Sequence, residues 1–244
     1  LVFSSANLQI CSELQNKKIK KMKKNFPPIK NIIFDLGGVI IDIDHNQIVN
    51  HLKKNGFTNL ELLESPEVKR TLNQFECGII SAETFRKTLC SQLNLKVSTT
   101  KFDEIWNSMI LDIPQRRIDL VKKLKSHYHV YLMSNSNEIH YDLFIRDVQL
   151  RFGYGEFDSL FDKSFFSFDV HLCKPNPDFF TLILDRYKMK PEETLFIDDT
   201  PENILAAQEL GIHTYHNLTG ARVVDLFEKG KLKEDLEFDV IHNS

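Results

Sequence analysis

Residues 31–42 read NIIFDLGGVIID. The apolar run Ile32, Ile33 and Phe34 is short and stops at a carboxylate followed by Leu-Gly-Gly. Such a run predicts a buried strand that delivers Asp35 to a glycine loop. The pattern returns downstream: HVYLM (129–133) runs into Ser134 and Asn135, Ser164 to Phe168 precedes the stretch leading to Lys174, and TLFI (194–197) runs into Asp198 and Asp199. A fifth candidate strand, 212–215, follows Gly211.

Helical periodicity lies between these runs. Ile118, Val121 and Leu124 share one face of 116–125, and Phe179, Phe180, Ile183, Leu184 and Tyr187 share one face of 177–187. Asn176 and Thr200 are placed to accept an orphan amide at a helix start, with Pro177 and Pro201 at the first helical position. Alternating strands and helices predict an α/β fold with a doubly wound parallel sheet. Residues 44–113 interrupt the alternation for far longer than one crossover needs. Helix-like segments at 81–93 and 101–110 make this interruption an inserted helical domain, leaving 31–43 and 114–244 as the core.

Charge is unevenly spread over the 244 residues. Residues 1–30 hold seven Lys against one acidic residue, including KKIKKMKK, and are expected to form a flexible basic extension. The remainder carries 24 basic against 33 acidic side chains, which argues against nucleic acid as a partner. No apolar run has the length of a membrane span, so no membrane partner is expected. Cys11, Cys77, Cys90 and Cys173 show no CxxC pair and no zinc-ligand spacing, so no disulfide framework is expected, and a reducing cytoplasm is the simplest location. Oligomeric state has no signature in the chain.

In an open α/β sheet the ligand sits beyond the carboxyl ends of the strands. The residues there are Asp35, Gly37 and Gly38, then Ser134 and Asn135, then Lys174, then Asp198 and Asp199. Three converging carboxylates repel one another unless a hard divalent cation with oxygen ligands lies between them, and Mg²⁺ suits that set. The hydroxyl, amide, ammonium and loop N–H groups are donors that match a phosphoryl group.

FDLGGVIID (34–42), YLMSNSN (131–137), the Lys-Pro of CKPNP (173–177) and FIDDTPENI (196–204) together resemble the four ordered motifs of the haloacid dehalogenase-like hydrolase superfamily. The resemblance covers roughly residues 31 to 220. It implies a Rossmann-like core with a helical cap at 44–113, and a Mg²⁺-dependent phosphatase acting on a small phosphorylated metabolite. Carried over residue by residue, Asp35 is the nucleophile that forms an aspartyl-phosphate. Asp35, the Gly37 carbonyl, Asp198 and Asp199 form the metal site. Gly37, Gly38, Ser134, Asn135 and Lys174 hold the phosphoryl group, and Lys174 offsets the charge of the nucleophile.

One position departs from the family pattern. Many phosphatases of this family carry a second Asp two residues after the nucleophile as general acid and base, and here that residue is Gly37. A subgroup with Gly at this position resembles this chain and includes sugar-phosphate phosphatases, and one account of the missing Asp is a substrate with a relatively good leaving group, such as an anomeric sugar phosphate, which needs less protonation. Alternatively Asp42, Asp44 or His45, at the entry to the insertion, reaches back when the cap closes, although hinge polarity is their simpler reading. A 2-haloacid dehalogenase shares the fold and needs no metal, and a phosphate-binding protein without turnover is the remaining alternative. Residues 75–80 are a candidate loop over the pocket, or an ordinary interhelix turn.

Overall fold

Asn31–Phe34 forms β1, with all four side chains buried. In the computed structural model, which describes residues 27–155, 157–218, 222–233 and 236, β1 is the central strand of a five-stranded parallel sheet. The lysine run of the N-terminal extension lies outside the described residues. The other strands are β4 (His129–Ser134), β5 (Lys163–Phe166), β6 (Thr194–Asp198) and β7 (His213–His216), in the order β5-β4-β1-β6-β7. Because side chains alternate across a strand, Ile32 and Phe34 enter one apolar cluster while Ile33 enters another on the opposite face. The first is completed by Ile118, Val121 and Leu124 of helix Gln115–Leu124, the second by Phe179, Phe180 and Ile183 of helix Pro177–Tyr187. The sheet is therefore covered on both sides, as the apolar runs require.

The interruption after β1 folds as helices α1 (Asn46–Lys54), α2 (Pro66–Glu76), α3 (Ala82–Gln92) and α4 (Thr99–Asn107). They close around a further apolar cluster, joined by Ile139 of the core helix Glu138–Phe152, in which Phe85 stacks on Phe75 with centroids 4.0 Å apart and meets Trp106 edge-on at 4.8 Å. Their root is an antiparallel pair, β2 (Asp42–Ile43) with β3 (Ile110–Asp112). Arg117, only 1% exposed, holds this root to the core by donating to the Ile40 carbonyl at 3.2 Å and the Asp42 carboxylate at 2.7 Å. Among the described residues no helix is long and apolar enough to cross a membrane.

Four expectations need correction. Cys77 and Cys173, 96 residues apart, are joined as a disulfide; the fold brings together what linear spacing kept separate. The third strand ends at Phe166 rather than 168, because the Ser167 hydroxyl leaves the ladder to accept from Ser136 N and donate to Glu76 O. The helix expected at 101–110 starts at Thr99, capped by Ser98, and ends at Asn107 because Ile110–Asp112 is claimed by the β2 pairing. Asn176 does cap its helix, but Thr200 makes no side-chain cap bond, its hydroxyl lying 3.3 Å from Asp199 Oδ1 instead.

Candidate active site

Asp35 leaves β1 still in register, its N–H bonded to the Ile197 carbonyl of β6 at 2.9 Å. The loop that follows is tight: Gly38 N–H meets the Ile41 carbonyl at 2.8 Å. Gly38 has φ of +69° and a Cβ there would lie 2.0 Å from Asp199 Oδ2, so only glycine allows the two motifs to touch. The fully buried Asn217, just past β7, ties the same place from the other side. Its side-chain amide donates to the Gly38 carbonyl at 2.9 Å and its N–H to the Asp198 carbonyl at 2.8 Å.

Lys174 enters from the loop after β5. Asn135, at the end of β4, fixes it by exchanging two bonds of 2.8 Å with the Lys174 backbone, using both polar atoms of its side chain. The ammonium, 5% exposed as a residue, then bridges Asp35 Oδ1 and Asp198 Oδ2 at 2.7 Å each. Asp198 is fully buried and receives further bonds from Thr200 N at 2.8 Å and from the Asn203 amide at 3.1 Å.

These contacts do not neutralise the site. Among the described residues, Asp35, Asp198 and Asp199 each offer a carboxylate oxygen within 4.8 Å of the others. Burial, with the Asp198 and Asp199 charges adding to it, pushes Asp35 up to about 8 against the pull of Lys174. Burial and Asp198 push Asp199 up to about 6. Burial alone would lower the Lys174 ammonium, but Asp198 and Asp35 outweigh it and raise its pKa. Three carboxylates against one ammonium is a donor set short of positive charge, and one hard cation would supply it.

A cavity of about 660 Å³ lies between the sheet ends and the insertion. Asp35, Gly37, Ser134, Asn135, Lys174 and Asp199 all line it, whereas Gly38 and Asp198 stand behind its wall. Of the three residues considered as stand-ins for an acid at Gly37, Asp42 is paired to Arg117 and Asp44 accepts from Asn46 and Gln47, while His45 lines the cavity. A Cβ on Gly37 would lie 3.1 Å from Ile43 Cδ1, so the hinge already crowds the space a side chain there would need. From the 75–80 stretch Glu76 faces the cavity, and with Lys69 and Asn73 it forms a polar row at i, i+4 and i+7 of α2.

Sequence reasoning missed several groups. Asn203 lies five residues beyond Asp198 in the first turns of the helix Pro201–Glu209, where helical spacing could have found it. Asn217 and Asn135's use as a backbone clamp carry no sequence signal. His140 also lines the cavity, but Asn137 and the Trp106 carbonyl take its two ring nitrogens and burial lowers its pKa to about 4, which marks it as structural.

Residues 29–211 match the hydrolase family described as haloacid dehalogenase-like hydrolase. The chain is 31% identical over 201 residues to a D-ribitol-5-phosphate phosphatase of Bacteroides thetaiotaomicron, covering 79% of this chain and 94% of that one. It is 31% identical over 192 residues to a sesquiterpene phosphatase of Aspergillus oryzae, covering 77% and 89%. Among solved structures it resembles an enzyme of the same family from Bacteroides thetaiotaomicron in complex with magnesium and inorganic phosphate. The TM-score is 0.70 at 36% identity, covering 77% of this chain and 93% of that one.

Proposed function

The chain belongs to the haloacid dehalogenase-like hydrolases, and from that premise we propose that it is a magnesium-dependent phosphatase of a small polyol or sugar phosphate, with Asp35 as the nucleophile. The observation that carries this reading is the Lys174 bridge between Asp35 and Asp198, with Asp199 beside it, at a cavity whose opposite wall sets Lys69, Asn73 and Glu76 among the apolar Ile43, Leu72, Met109 and Ile110. Asp35, the Gly37 carbonyl, Asp198 and Asp199 would hold Mg²⁺. The cation would supply the missing positive charge and withdraw electron density from the phosphoryl oxygens.

The protein's own groups then act in order. An Asp35 carboxylate oxygen attacks phosphorus, the bond from phosphorus to the substrate oxygen breaks as that oxygen takes a proton from solvent and leaves as the alcohol, and water then hydrolyses the aspartyl-phosphate to inorganic phosphate and the free carboxylate. Lys174 and Ser134 hold the transferring oxygens, and Asn135 keeps Lys174 in place through its backbone. A displacement at carbon needs no cation, so the acidic group favours phosphoryl transfer over dehalogenation.

The relatives named above act on two very different organic groups, a polyol and a terpenoid. Lys69, Asn73 and Glu76 support the first, because polar side chains on the cavity wall can exchange hydrogen bonds with substrate hydroxyls, which an apolar tail cannot offer. The full chain with Mg²⁺ is expected to hydrolyse ribitol 5-phosphate and related sugar phosphates with kcat/KM at least about tenfold above farnesyl phosphate. A chelator should abolish turnover and added Mg²⁺ should restore it. Turnover that survives chelation, or a preference for the prenyl substrate, would sink the proposal.

The shifted carboxylates give a second expectation. Asp35 at about 8 and Asp199 at about 6 stand above the ordinary 3.8 of an unfolded chain. Between those limits the metal-free folded state binds protons that the unfolded state does not, so its stability falls as pH rises from about 4 to about 8. Mg²⁺ competes with those protons, so the Tm gain on adding it should be larger at pH 8 than at pH 5. Equal gains at both pH values, read by thermal unfolding, would contradict this account.

A further inference from the structure

Cys77 follows the last turn of α2 in the insertion, Cys173 precedes Lys174 in the core, and the two are bonded. We propose that this pair is a thiol–disulfide latch on the insertion. When oxidised it holds the helices down over the catalytic cavity and suppresses turnover; when reduced it lets them lift and admit substrate.

The insertion leaves the core and returns to it at one place, the β2–β3 pair that follows β1. Cys173 belongs to the chain after β5, which lies two strand positions from β1 in the sheet, roughly 10 Å away at the usual strand spacing. A body hinged along one edge can swing, and the same body fastened at a second, separate point cannot. Apart from the sulfurs, the insertion meets the core through non-covalent contacts: Trp106 stacks on His140 and its carbonyl meets that ring at 3.1 Å, Ile139 enters the insertion's apolar cluster, and Ala82 N–H donates to Glu138 Oε2 at 3.1 Å. The Ser167 hydroxyl donates to Glu76 O at 2.5 Å, and His171 Nδ1 lies 3.3 Å from Cys77 O. Gly78, with φ of +66°, is pressed so closely on the Phe168 carbonyl that a Cβ would lie 2.1 Å from it.

Motion of the insertion matters because of what lies beneath it. Asp35 is 8% exposed and Asp198 fully buried, so a phosphate ester reaches the nucleophile through space walled by the insertion. Both cysteines are partly exposed, so a small reagent can reach them. Closing the latch needs an external oxidant, a low-molecular-weight disulfide. The thiolate of one cysteine attacks it, releasing one thiol and forming a mixed disulfide. The second cysteine then attacks that bond, releasing the other thiol and forming Cys77–Cys173. Two electrons and two protons pass to the reagent, and a small dithiol reverses the sequence while being oxidised to its own disulfide.

The latch rests on the phosphatase reading for its activity readout, so the test carries a second readout that does not. The full chain is equilibrated with oxidised glutathione or with dithiothreitol, freed of reagent, and mapped by peptide mass after alkylation. It is then assayed with ribitol 5-phosphate and Mg²⁺, and digested briefly with a protease that cuts near the β2–β3 root. The oxidised form is expected to show a closed Cys77–Cys173 bond, kcat/KM lower by about tenfold or more, and slower cleavage. Dithiothreitol should reverse all three. Cys77→Ser and Cys173→Ser should match the reduced enzyme under both conditions, whereas a Cys11→Ser, Cys90→Ser double variant should still respond. A closed bond with unchanged turnover and unchanged cleavage overturns the latch, as does failure of the bond to close, or a Cys77→Ser variant inhibited as strongly as the parent. If neither form hydrolyses any phosphate ester, the phosphatase reading falls, and the cleavage comparison alone decides whether the latch stands.

Discussion

Asp35→Asn is expected to lower turnover by about 10⁴-fold or more, on polyol and aryl phosphates alike, with the fold retained. The amide is nearly isosteric and cannot form the acyl phosphate, so the first covalent step is lost rather than slowed. Stability should move the other way. Asp35 is buried among like charges and its carboxyl is pushed up to about 8, which means that its ionised form is disfavoured in the metal-free fold. A neutral amide removes that repulsion, so the Tm of the metal-free variant at pH 8 should equal or exceed that of the parent, while its gain on adding Mg²⁺ should shrink. Steady-state kinetics beside thermal unfolding would check both. Residual turnover within about a hundredfold of the parent would place the nucleophile elsewhere.

Lys174→Met should damage both activity and stability, and the two losses should respond differently to metal. The ammonium is the bridge between Asp35 and Asp198, at 2.7 Å from each. Removing one partner of a buried ion group leaves the other uncompensated, commonly at about 3–5 kcal/mol, and here two carboxylates lose their bridge at once. A donor to the transferring phosphoryl group also disappears, which is commonly worth about 10²- to 10³-fold in kcat. Mg²⁺ should recover part of the lost Tm, because a cation can still balance the carboxylates, yet it should leave kcat low. Should the variant keep kcat within about tenfold of the parent and melt at the same temperature, Lys174 would be neither bridge nor phosphate ligand.

The catalytic end of the sheet was readable because each of its elements is locally encoded. Ile32 to Phe34, 129–133 and 194–197 are runs too short and too apolar to be anything but buried strands, and the first polar residue after each falls at the same edge of the sheet. What escaped reading depends on contacts between distant segments. Ser167 ends β5 for the sake of Ser136 and Glu76, neither of which is near it in sequence. The pairing of Cys77 with Cys173 requires knowing where α2 ends and how the insertion sits on the core. Asn135 was read as a phosphate donor because an amide at a strand end can be one, and its clamp on the backbone of Lys174 depends on how the loop after β5 returns to β4. Thr200 followed the usual rule for a helix start, but the neighbouring carboxylates offered its hydroxyl a different partner.

Asn217 sets how far the working unit extends. The matched family region closes at residue 211, before β7 begins, and a fragment trimmed there would keep every quoted motif. It would nevertheless lose the edge strand beside β6 and the asparagine that staples the glycine turn, through its side chain, to the aspartate strand, through its backbone. Domain borders drawn for excision or fusion therefore belong downstream of that asparagine, since the geometry of the first motif is completed by a residue that belongs to none of them.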